Sequence, residues 1–94
     1  MDEPKYAEID DIDLMRTVDE YGTIRWYNKE GQLHRTAGPA MVWENKGSMW
    51  YYEGRRHREG NLPAAMWSGI KKYYHHGVRY FPEIVKINNE EIII

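Results

Sequence analysis

The chain has 94 residues, no cysteine, and 13 basic against 15 acidic side chains. That length holds one domain with a modest core, and the missing thiols exclude a disulfide framework and a thiolate zinc site. No apolar run approaches the roughly 18–20 residues of a membrane span, and the acidic start has neither the basic region nor the apolar stretch of a signal peptide, so a soluble, cytoplasmic protein is the expectation.

The apolar content is aromatic rather than aliphatic, with eight Tyr, four Trp and five Met against three Leu and four Val. Rings with polar edges suit a thin, half-solvated sheet. Charge is segregated along the chain. Residues 1–20 carry eight acids and two bases, residues 21–82 four acids and ten bases, and residues 83–94 three acids and one base.

Residues 1–13 form an acidic segment in which Tyr6, Ile9 and Ile12 are the residues that dock on the rest of the chain if any do. From Leu14 the pattern changes. Leu14–Val18, the turn Asp19-Glu20-Tyr21-Gly22 and Thr23–Tyr27 read as strand, turn, strand. Ala40-Met41-Val42-Trp43, the turn Glu44-Asn45-Lys46-Gly47 and Ser48–Tyr52 read the same way. Gly31, Gly54 and Gly77 stand 23 residues apart, as do His34, His57 and Tyr80. Each unit holds an aromatic pair (Trp26-Tyr27, Trp50-Tyr51, Tyr73-Tyr74), a polar turn closed by Gly, and, in the first two, a His-Arg step and a Pro-Ala that opens the next strand. Gly supplies the positive φ of a tight turn, and Pro is tolerated where a strand begins. The spacing predicts about three repeats of some 23 residues over residues 14–82, almost entirely β. The third is degraded, with Tyr80-Phe81 for His-Arg and a bare Pro82, as expected of a terminal repeat. In residues 83–94, Ile84–Ile87, a turn at Asn88-Asn89 and Glu91–Ile94 predict an Ile-rich hairpin that caps the array by burying its isoleucines. Left exposed, that edge would favour a homodimer.

The spelling Trp26-Tyr27, Gly31, His34-Arg35, Gly38-Pro39-Ala40 resembles the MORN-type and MORN-variant repeats, over residues 14–82. Tyr52-Glu53-Gly54-Arg55-Arg56-His57 is similar to the Tyr-x-Gly step of the same family. The resemblance implies an antiparallel sheet of β-hairpins used as a binding surface or spacer. It also implies a binding inhibitor, either antitoxin-like or a phage protein acting on a host defence component in the host cytoplasm. The chain departs from the pattern in an extra residue between Trp26 and Gly31, in Glu59-Gly60-Asn61-Leu62-Pro63, and in the third unit.

No residue set predicts catalysis. Glu30, Glu44, Glu53 and Glu59 fall at turns, where water screens them, and Ser48 and Ser68 are turn neighbours rather than nucleophiles. His34 and His57 recur at the period, which points to a structural imidazole that satisfies a main-chain group of an adjacent turn. His75-His76 stands outside the period. Adjacent histidines of a strand point to opposite faces, so no metal site and no cofactor is expected. Function is sought among residues that break the period: Met49, Tyr52, Arg55, Arg56, Lys71, Lys72 and His75, with a protein as the expected partner. The alternative is a nucleic acid, bound by Arg55, Arg56, Arg58, Lys71, Lys72 and Arg79 with stacking on Tyr51, Tyr52, Tyr73 and Tyr74.

Overall fold

Turn residues set the architecture. The computed structural model describes residues 11–87 and 89–93, and no helix occurs among them. Gly60 and Asn61 take positive φ (80° and 54°) within a longer loop, while three strand-to-strand turns place two consecutive residues at positive φ: Glu53 and Gly54 (48° and 82°), Ser68 and Gly69 (46° and 79°), and His76 and Gly77 (46° and 87°). That is the two-residue hairpin geometry whose twist matches the flanking strands. The result is a chain of short antiparallel hairpins.

The strands are β1 (Met15–Val18), β2 (Ile24–Tyr27), β3 (Met41–Val42), β4 (Ser48–Met49), β5 (Tyr51–Tyr52), β6 (Arg55–Arg56), β7 (Ala65–Trp67), β8 (Ile70–His75), β9 (Val78–Tyr80), β10 (Ile84–Ile87) and β11 (Glu90–Ile93). Seven of them form one antiparallel sheet in the order β1-β2-β3-β4-β7-β8-β9, while β5 pairs with β6 and β10 with β11. The hairpin of β5 and β6 is tied into its surroundings on both sides. Gly54 N–H donates to the Leu33 carbonyl and Arg35 N–H to that of Tyr51; on the other side Gly77 N–H donates to Arg56 and Arg58 N–H to Tyr74. A second ladder of hairpins therefore runs beside the large sheet.

Corresponding residues make corresponding bonds. Trp26 N–H donates to the carbonyl of Ala40 and Trp50 N–H to that of Ala64. The Arg35 guanidinium lies 4.3 Å from the Trp26 ring and that of Arg58 lies 4.1 Å from Trp50. Each arginine also donates to the carbonyl of a proline, Arg35 to Pro39 and Arg58 to Pro63. The extra residue before Gly31 is absorbed locally. Asn28 accepts the N–H groups of Glu30 and Gln32 on its side-chain oxygen, closing a longer turn than the one at Glu53-Gly54.

Among the described residues the buried core consists of small groups and one ring: Ala40, Ala64, Ala65 and Tyr73, with the buried imidazoles of His34 and His57. Apolar volume is spread through half-buried aromatics, as a thin sheet requires. Gly47 lies beneath the Trp43 indole so closely that no β-carbon fits there.

Both ends differ from expectation at the residues described. The acidic segment reaches the rest of the chain through carboxylates, not through Ile12, which is 64% exposed. Asp11 Oδ1 accepts the main-chain N–H and hydroxyl of Thr36, Oδ2 accepts the N–H of Ala37, and Asp13 pairs with Lys29 at 3.2 Å. Ionised oxygens satisfy loop donors that an apolar side chain cannot. Tyr6 and Ile9 lie outside the described residues. At the other end the hairpin forms, with Ile84 opposite Ile93, but Ile92 is 41% exposed and is not buried as a cap. Its neighbours Glu90 and Glu91 are exposed as well, so this end of β11 is solvated rather than sealed.

The first hairpin carries a local acid sensor. Asp19 Oδ2 accepts a 2.7 Å bond from Arg25, and Oδ1 accepts the N–H groups of Tyr21 and Thr23. The Arg25 bond first, and then those two N–H groups, hold the carboxyl below its ordinary value of 3.8. Because the folded value is the lower one, the contribution is complete above the unfolded value and is lost as pH falls through the folded one. An NMR titration of the Tyr21 and Thr23 amides is expected to show this transition below pH 3.8 in the native chain and not in Asp19→Asn.

Candidate functional site

Strand register sorts the residues of the large sheet by face. Thr17 lies opposite Arg25, Arg25 opposite Met41, Met41 opposite Met49, Met49 opposite Ala65, and Ala65 opposite Lys72. These six side chains form one row across the sheet. Trp67 and its partner Ile70 lie on the same face, two residues along, and the Lys72 ammonium sits 5.1 Å from the Trp67 ring. Met41, Met49 and Trp67 are half-buried, and Ile70 is 45% exposed. Lys71 takes the opposite face and is exposed.

The structure separates the seven predicted contact residues. Met49, Lys72 and, on the other face, Lys71 belong to the large sheet. Tyr52 is no free contact: its ring lies between two buried imidazoles, 4.8 Å from His34 and 6.1 Å from His57. Arg56 is committed too. Its Nε donates to the Tyr51 hydroxyl at 3.3 Å and its Nη1 to the Tyr74 hydroxyl at 3.1 Å, linking successive hairpins. The Tyr51 bond, above all, raises its pKa further, so Arg56 is a permanent tie. Arg55 is exposed, its stem resting against Gly77. His75 is exposed but belongs to a cluster.

That cluster was not foreseen, because His76 leaves the strand at positive φ. The alternation that would send His75 and His76 to opposite faces stops at the turn. Both rings instead converge on His57. Ring centroids are 3.9 Å apart for His57 and His76, which stack, 4.8 Å for His57 and His75, and 4.5 Å for His75 and His76. One nitrogen from each of the three lies within 4.8 Å of the others.

His57 is fixed at both nitrogens. Nδ1 accepts the main-chain N–H of His76 at 2.8 Å, and Nε2 lies 2.8 Å from Glu59 Oε1. With Nδ1 an acceptor, Nε2 carries the proton and donates it to the carboxylate. His34 repeats the first half of this arrangement, its Nδ1 accepting the N–H of Glu53 at 2.9 Å. Asp11 stands near its Nε2, at 3.8 Å. Glu59 is held below its ordinary carboxylate range chiefly by the His57 bond. His76 is held below the ordinary histidine value by desolvation first, then by His57 and His75. A surface groove of about 360 Å³ opens beside the cluster, lined by Arg58, Glu59, Gly60, Asn61, His75 and Tyr80.

Most of the stacking faces required by nucleic-acid binding are in use. Tyr73 is buried, Tyr52 lies between His34 and His57, and the Arg56 guanidinium lies 5.3 Å from the Tyr74 ring. No helix of the described residues is long and apolar enough to cross a membrane. Compared with known protein families, curated proteins and solved structures, the chain finds no match.

Proposed function

We propose that the chain is a short array of MORN-like hairpin repeats whose large sheet binds a protein without catalysis, as an inhibitor occupying its target does. The observation that carries this reading is the continuous row Arg25, Met41, Met49, Ala65 and Lys72 with Trp67 and Ile70 beside it. Half-buried thioethers and an indole, set around the buried Ala65 and flanked by cations, are side chains that anchor protein interfaces. Arg25 is tethered to Asp19 and Lys72 to Trp67, so the row is ordered before a partner arrives and less entropy is lost on binding.

The nucleic-acid alternative retains exposed Arg55, Lys71 and Arg79, which neutralise phosphates without stacking. One experiment separates the two. A photo-crosslinking residue is placed at Met49 and, on the opposite face, at Arg16, and each protein is exposed to extract of its native cell. The expected result is a protease-sensitive adduct from position 49 and none from position 16. A nuclease-sensitive adduct that disappears as salt is raised supports the alternative instead. A protein adduct from position 16 alone places the interface on the wrong face.

A further inference from the structure

The histidine cluster has a property that the hairpin framework does not require. Its counterpart one unit earlier is built from other side chains. His34 corresponds to His57, and both accept the N–H of the next turn. Tyr52 rests on His34 at the same 4.8 Å at which His75 rests on His57. Glu53 supplies the N–H that His76 supplies in the later copy. The fold is therefore served equally by Tyr and Glu at these two places, and packing alone does not call for two imidazoles. Asp11, the carboxylate near His34, is held by Thr36 and Ala37. Glu59 is 80% exposed and is held by His57 alone among the described residues.

We propose that His75, His76 and Glu59 bind a borderline divalent transition-metal ion of the zinc and copper class. His57 is not a ligand. A metal on its Nε2 would have to displace the proton given to Glu59, and the ring's remaining proton would then face the His76 N–H, donor against donor. Its part is to hold Glu59 Oε1 by a 2.8 Å bond, leaving Oε2 for the ion, as outer hydrogen bonds orient metal-binding carboxylates. His75 and Glu59 wall the same groove. Tetrahedral bonds of about 2.1 Å set donor atoms about 3.4 Å apart. The His75 and His76 nitrogens, within 4.8 Å of each other and of a His57 nitrogen, close that gap by rotation of two exposed rings, and Glu59, bonded to the His57 ring on which both rest, supplies the third donor. Two imidazoles and a carboxylate select zinc, nickel or copper over calcium or magnesium, which take oxygen. The site is independent of the sheet face assigned to a partner.

Titration calorimetry with zinc chloride in a non-chelating buffer at pH 7.5 tests the assignment. One equivalent is expected to bind in the micromolar range, with copper tighter than zinc. His75→Ala and His76→Ala are each expected to weaken binding at least tenfold and Glu59→Gln several-fold, while Glu53→Gln leaves it unchanged. Both histidines are exposed, so circular dichroism should show the variants folded. NMR supplies a separate readout, because the His57 Nε2–H resonance persists in the zinc-bound protein if His57 stays outside the coordination sphere. Absence of binding at millimolar zinc overturns the site, as does unchanged binding by the double variant His75→Ala/His76→Ala. Loss of the His57 Nε2–H signal on adding zinc overturns the ligand assignment.

Discussion

Replacing His57 by Ala should lower the stability of the chain by about 3 kcal/mol, read as a fall in the urea midpoint with an unchanged slope. The substitution removes the acceptor of the His76 N–H and the ring on which His75 and His76 rest. An orphaned main-chain donor accounts for about 1–3 kcal/mol of the effect, and lost packing for the rest. His34→Ala should behave alike, since the Glu53 N–H loses the same kind of partner. His75→Ala, on an exposed ring, is expected to change stability by no more than about 0.5 kcal/mol. If His57→Ala proves no more harmful than His75→Ala, the buried imidazole is not the joint between hairpins.

Tyr73→Ala is the second severe change. Tyr73 is the largest side chain among the buried apolar residues, 8% exposed, and its ring lies 5.9 Å from that of Tyr80. Truncating a buried aromatic costs about 3–5 kcal/mol, a large share of the roughly 5–15 kcal/mol that holds a domain together. The other buried apolar residues are alanines, so the core itself has no large side chain to refill the space. Its sequence neighbour provides the comparison. Tyr74→Phe removes one hydroxyl that accepts from Arg56 and should cost only about 1 kcal/mol. Thermal melts of the two variants, side by side, check both figures.

The antiparallel hairpins could be read from the sequence because their signals are local: Gly at most of the turns and Pro ahead of a strand. The buried histidines were readable from their period. The candidate surface was only partly readable, and the reason lies in Tyr52 and Arg56. Both appeared to break the period and so to be free for contact. In the structure Tyr52 rests on His34 at the 4.8 Å at which His75 rests on His57, so a change of residue type hid a similar position. Arg56 reaches across to Tyr74, 18 residues away, a contact that no local pattern specifies. His76 failed the alternation rule for a related reason, since one residue at positive φ redirects a side chain that strand geometry would have sent elsewhere. Asp11 escaped notice because its partners are loop amides, which have no signature in composition.

The bond between each buried imidazole and the following turn is made to a peptide N–H, not to a side chain. Glu53 and His76 perform the same task with different functional groups. The joint is consequently blind to the identity of the residue that supplies it, provided that residue accepts a left-handed backbone. Glu53 and His76 both face outward, so at each of these two turns the side chain is open to mutation without loosening the scaffold, and new chemistry can be acquired at one turn while the other is left as it is.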